Sequence, residues 1–94
     1  MLEFEWDEGK RLSNLEKHKI DFAEAREVFD GRDTIQARLA YEREVRYATT
    51  GLLKGSFVTI VWTRRGENIR LISVRGARDE ERRKYRQLYG GGTR

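Results

Sequence analysis

The sequence predicts a single α+β domain with elements in the order β-α-α-β-β-β-β-α. Three observations predict it. Up to Asp30-Gly31, apolar residues recur at helical spacing after one short opening strand. Between Thr34 and Gly76 they alternate with polar ones, and only short turns interrupt the alternation. A capped and highly charged segment then runs to a glycine stop at Gly90. Successive strands joined by short links read as an antiparallel meander with helices packed on one face. The domain spans residues 1–89, and Gly-Gly-Gly-Thr-Arg at 90–94 reads as a frayed tail.

Each element has its own signal. Leu2, Phe4 and Trp6 alternate with Glu3 and Glu5, giving a strand with one apolar face. Asp7 reads as the N-cap of a helix from about Glu8 to Lys19, with Leu12 and Leu15 toward the core. Asp21 and Glu24 have the spacing of a capping box, Ile20 sits at the staple position, and Phe22, Ala25, Val28 and Phe29 form the apolar stripe. Ile35 to Tyr41 and Val45 to Leu53 read as strands, and Lys54-Gly55 as the turn after them. Ser56 to Thr63 is apolar on both faces, which suits the central strand. Ile69 to Gly76 is the last strand, with Leu71, Ser73 and Arg75 on one face and Ile72 and Val74 on the other. Asp79 is then the expected cap of the closing helix, with Glu80 and Glu81 in its first turn.

Composition narrows the chemistry. The chain has no cysteine and one histidine, which removes disulfides, thiolate catalysis and multi-histidine metal sites, so neither metal nor cofactor is expected. The acidic N-terminus lacks the apolar stretch of a signal peptide, and no run is long enough to span a bilayer. A cytoplasmic protein without membrane contact is the expectation. Charge is divided unevenly. Residues 1–61 carry ten basic and twelve acidic side chains, net −2, whereas residues 62–94 carry ten and four, net +6. A basic final third is what an anion-binding face looks like in sequence, although a solvated surface has the same composition.

Two constellations stand out. At 100° per residue, Lys10, Asn14, Lys17 and His18 fall within an arc of about 100° on the first helix, a coherent polar stripe that holds the only imidazole. The alternative is the solvent face of an amphipathic helix. On the closing helix Arg82, Arg86 and Tyr89 lie within about 60°, with Tyr85 beside them, a ring that can pack while its hydroxyl stays at the rim. Ser13 and His18 are about 140° apart and cannot act as nucleophile and base. Arginine, lysine, histidine and tyrosine are the parts needed to cut RNA without a metal. A base takes the proton of the 2′-hydroxyl, cations hold the phosphorane, and an acid protonates the departing 5′-oxygen. The same basic face would also serve a non-catalytic module that binds nucleic acid or a protein partner.

Phe4-Glu5-Trp6-Asp7-Glu8-Gly9-Lys10 and Ser13-Asn14-Leu15-Glu16-Lys17-His18-Lys19-Ile20-Asp21-Phe22 closely resemble the N-terminal signature of the BrnT family of bacterial toxins. Arg70-Leu71-Ile72-Ser73-Val74-Arg75-Gly76-Ala77 and Glu81-Arg82-Arg83-Lys84-Tyr85 resemble its closing strand and helix, so the likeness covers roughly residues 4–86. The resemblance implies a RelE-like fold and a ribonuclease toxin. It also implies a BrnA-like antitoxin partner with a ribbon-helix-helix portion, through which alone the pair contacts operator DNA and represses its own operon. By position it points to His18, Lys17, Arg75, Arg82 and Tyr85 as catalytic. Arg75 and Arg82 would hold the phosphate, His18 and Tyr85 would move protons, and Lys17 would be a second cation. Lys10, Arg64, Arg78 and Arg86 are the expected RNA-binding residues. Gly76 departs from the larger side chain common at that point in the family, which would loosen the strand end. Leu52, Leu53 and the Tyr41 edge are candidates for the antitoxin surface.

Overall fold

The computed structural model describes residues 3–41 and 43–90; Leu2 of the expected first strand and 91–94 of the expected tail lie outside the described residues. Its elements are β1 (Glu3–Trp6), α1 (Glu8–His18), α2 (Phe22–Ala25) continued by a 3-10 turn (Arg26–Phe29), β2 (Thr34–Ala40), β3 (Val45–Leu53), β4 (Ser56–Arg65), β5 (Asn68–Gly76) and α3 (Asp79–Tyr89). The five strands form one sheet in the order β1-β5-β4-β3-β2, with β4 in the centre, where its two apolar faces belong. Strands β2 to β5 make the antiparallel meander. β1 departs from that expectation, because it pairs parallel to β5 and the sheet is mixed. Phe4 against Phe29 and Trp6 against Phe22 hold β1 over the core at that edge.

The expectation of helices on one face is also corrected. Phe22, Ala25 and Val28 pack with Val58, Ile60, Trp62, Ile69, Leu71 and Val74 into the main core. The alternate residues of β4 point the other way, and there Phe57 meets Tyr85 and Thr59 meets Glu81 of α3. The sheet is therefore flanked by α2 on one side and α3 on the other, while α1 lies along the β5 edge. Each chosen face follows from which of the alternating residues are apolar.

A bulge in β5 changes which side chains share a face. Val61 pairs with Ser73 but Trp62 pairs with Leu71, so Ile72 is an extra residue. Leu71 and Val74 both enter the core, while Ser73 and Arg75 face α3. Simple alternation had put Leu71 with Ser73 and Arg75. Two further local readings change. Leu12 is 53 % exposed because α1 lies along the edge of β5 rather than across the core. Leu53 is buried and leaves the set of antitoxin-surface candidates, while Tyr41 stays half exposed.

The caps fall largely where the sequence put them. Asp7 accepts from the Lys10 amide and Asp21 from the Ala23 amide. Glu24 does not close a capping box, because its carboxylate pairs with Lys54 at 2.7 Å. Arg78, not Asp79, is the N-cap of α3. Glu81 accepts from the Arg78 amide while Asp79 turns to the Arg82 guanidinium. Lys54 and Gly55 have φ of 50° and 85°, which makes the β3–β4 hairpin turn of the primed type.

Candidate active site

The site begins where β1 ends. β1 pairs with β5 only as far as Leu71, so from Ile72 onward β5 keeps β4 on one side but has no strand on the other among the described residues. α1 takes that place. Its Asn14, 6 % exposed, accepts a hydrogen bond from the Val74 amide at 3.0 Å and donates one to the Ile20 carbonyl at 3.2 Å. One side chain thus satisfies a strand-edge donor and the carbonyl that ends the α1–α2 turn. Because Asn14 faces β5, the rest of its stripe does too. Lys10, Ser13, Lys17 and His18 line a groove of about 200 Å³ whose opposite wall is Ile72 and Ser73. Asn14 alone of the stripe is buried; Lys10, Lys17 and His18 stay exposed along the groove wall.

His18 is exposed at the last position of α1, where Lys19 takes φ of 63° and turns the chain. The imidazole also lines a second groove, of about 340 Å³, with Lys19, Lys54, Ser56, Phe57 and Gly76. The two grooves reach β5 at Ile72–Ser73 and at Gly76, and Arg75, which lies between those points along the strand, lines neither groove. It projects from the same face as Ser73, two residues or about 7 Å further along.

Arg75 is held firmly. Its Nη1 and Nη2 donate to the two Glu81 carboxylate oxygens at 2.9 and 3.0 Å, and Nη1 also reaches the Gly76 carbonyl at 3.3 Å. Glu81 accepts in addition from Thr59 Oγ1 at 2.9 Å and from the Arg78 amide at 2.8 Å. The Arg75 guanidinium foremost, with these other donors, lowers the Glu81 pKa from 4.5 to about 2 against the opposing cost of burial. The end of β5 is not loose at Gly76. That residue pairs with Val58, and the next amide, Ala77, donates to the Phe57 carbonyl at 3.0 Å.

The other expected residues divide. Arg78 is exposed at the strand-to-helix corner beside Arg75. Arg82 donates to the Ala77 carbonyl at 2.9 Å and pairs with Asp79. Arg86 lies over the Phe57 ring at 5.2 Å, and with Arg82 it lines a broad outer groove of about 470 Å³ on α3. Tyr85 is buried between Phe57 and Tyr89 and lines neither of the grooves that hold His18. Burial, with Asp33 and Tyr89 nearby, pushes its hydroxyl pKa above the ordinary value. Arg64 stands apart. It is five residues along β4 from Thr59, the partner of Arg75, and so about 17 Å away at the hairpin end of the sheet.

Sequence reasoning passed over two residues of this corner. Glu81 was read only as a first-turn acid, although it occupies the third helical position, where a carboxylate reaches back to the cap. Ser73 projects with Arg75, as expected, to the α3 face, yet it also borders the α1 groove at the strand edge, next to the bulge at Ile72. Among the described residues no three His, Cys, Asp or Glu side chains cluster as a metal site would require, and no helix is long and apolar enough to cross a membrane.

No curated protein matches the chain. A family of known proteins does match over residues 6–81, a stretch that takes in Lys10, Lys17, His18, Arg64, Arg75 and Arg78 and stops before Arg82, Tyr85 and Arg86. That family is described as the ribonuclease toxin BrnT of type II toxin–antitoxin systems, and with most of its length inside the match the chain belongs to it.

Proposed function

We propose that this toxin is an endoribonuclease that cuts RNA without a metal, by attack of the 2′-hydroxyl on the adjacent phosphorus. The observation that carries the reading is the position of His18. The only imidazole of the chain stands in both grooves that flank the Ser73 to Gly76 stretch carrying Arg75. A phosphodiester lying along that stretch would meet a proton acceptor, the Lys10 and Lys17 ammonium groups, and a fixed guanidinium. His18 takes the 2′-hydroxyl proton. Arg75 holds the phosphate as charge builds, with Arg82 behind it at the corner, and Lys17 is the second cation. Tyr85, a phenol and so neutral at physiological pH, is the acid that serves the departing 5′-oxygen. Lys10, Arg78 and Arg86 guide the flanking backbone, and Arg64 contacts RNA only where a longer strand reaches the hairpin end. Selectivity for RNA follows from the need for a 2′-hydroxyl.

In the same reading the fold is RelE-like and the toxin acts in the cytoplasm. Its partner is a BrnA-like antitoxin with a ribbon-helix-helix portion. The pair binds operator DNA through the antitoxin and represses its own operon.

The test is cleavage of a defined RNA by purified, antitoxin-free protein, with and without EDTA. The expected outcome is chelator-insensitive cleavage leaving 2′,3′-cyclic phosphate ends. His18→Ala and Tyr85→Phe should each lower the rate by roughly 100-fold or more, with the fold intact by circular dichroism. A non-catalytic binding module would tolerate both changes. Cleavage that stops in EDTA and returns with magnesium would overturn the metal-free mechanism.

A further inference from the structure

Three arginines on the α3 side of the sheet each have a carboxylate partner: Arg46 with Glu44, Arg70 with Glu5 and Arg75 with Glu81. The third pair differs from the others in how its carboxylate is anchored. Oε1 of Glu81 accepts from Arg75, from Thr59 and from the backbone of Arg78, while Oε2 accepts from Arg75 alone. Thr59 is fully buried in the central strand, and its hydroxyl lies 2.7 Å from that of Thr50, also buried. A carboxylate only accepts, so Thr59 donates to Glu81 and Thr50 donates to Thr59. The relay ties the carboxylate to the two most enclosed strands and to the first turn of α3. Such a carboxylate is a fixed reference point, unlike the exposed Asp79 that pairs with Arg82.

The geometry at Arg75 says what that reference point is for. Both contacts to Glu81 use the Nη1–Nη2 end of the guanidinium. The Nε–H and the second Nη2–H form the other two-donor edge, and neither bonds any of the described residues. We propose that Glu81 is a positioning residue for RNA cleavage. It clamps one edge of the Arg75 guanidinium so that the other edge, Nε with Nη2, is presented as a fork matched to two phosphate oxygens. The proposal rests on the ribonuclease reading above. The gain is preorganisation, since a guanidinium already oriented loses little freedom when the phosphorane forms.

The experiment is a double-mutant cycle on cleavage of a single short RNA, read as kcat and KM, for wild type, Glu81→Gln, Arg75→Ala and the pair. Glu81→Gln should lower kcat by roughly 10- to 100-fold while KM moves less than about threefold. In the Arg75→Ala background the same change should cost less than about twofold, because nothing remains to be positioned. A capping or purely structural role would carry the same factor into both backgrounds, and that result overturns the proposal. So does faster cleavage by Glu81→Gln, which would make the carboxylate a competitor of the phosphate. Thr59→Val removes one anchor without touching the ion pair, and it should lower kcat in the same direction but less. If Glu81→Gln fails to fold, an unchanged kcat for Thr59→Val overturns the proposal alone. Wild-type protein that leaves RNA intact fails earlier and overturns the ribonuclease reading itself.

Discussion

Asn14 commits its whole amide to the backbone. The oxygen meets the Val74 amide and the nitrogen meets the Ile20 carbonyl, across sequence separations of 60 and six residues. Alanine there would leave a buried strand-edge N–H with no acceptor, at a cost of about 2 kcal/mol. Urea denaturation of Asn14→Ala should report that loss with an unchanged m-value. Asn14→Asp keeps the acceptor but sets a carboxylate against the Ile20 carbonyl, so it should fall below wild type as well. The stripe to which Asn14 belongs was legible in the sequence, because helical periodicity alone groups Lys10, Asn14, Lys17 and His18. What turns the stripe toward β5 was not legible. That depends on a strand-edge donor 60 residues away, left without a strand partner because β1 stops at Leu71.

The same division holds for the elements. The N-caps of α1 and α2 and the hairpin turn at Lys54-Gly55 are local chemistry, and each stands where a short stretch of sequence put it. The parallel pairing of β1, the far-side packing of α3 and the bulge at Ile72 are decided between distant segments, so periodicity within a segment carries no sign of them. Glu81 was overlooked for the same reason, since its partners come from β4, β5 and the α3 cap together. Gly76 shows how a local rule misleads. A glycine at a strand end suggests slack, yet its backbone is paired and a Cβ built on it would meet nothing within 4 Å. No left-handed conformation requires glycine there. Gly76→Ala should therefore stabilise the protein by about 0.5–1 kcal/mol, chiefly by restricting the unfolded chain. Differential scanning calorimetry should find Tm raised by roughly 3 to 6 °C. A lowered Tm would mean that the end of β5 needs a freedom only glycine has.

Across the whole molecule, the acidic first two thirds and the basic last third are partly interleaved by folding. Glu5 of β1 meets Arg70 of β5, and within the C-terminal third Glu81 of α3 meets Arg75. Five carboxyl groups, Glu5, Glu8, Asp21, Asp30 and Glu81, have pKa values held below their ordinary ranges, four of them by neighbouring side chains foremost and Asp21 by the Ala23 amide. A depressed folded-state pKa means that the unfolded chain takes up protons first. The stabilisation is therefore complete above the ordinary carboxyl range and is lost as pH falls toward the folded-state values. For Glu81 the window runs from 4.5 down to about 2. Urea midpoints should be level above that window and decline through it, and raised salt should weaken mainly the exposed pairs such as Glu8 with Arg11. Glu81→Gln isolates the least exposed of these carboxylates. The gap between wild type and the variant should be widest at pH 6 and should narrow steadily toward pH 2, as wild-type Glu81 becomes protonated and its ion pair with Arg75 is lost. A gap of constant size over that range would mean that the carboxylate's charge contributes nothing to stability, and that the variant differs only through the α3 cap.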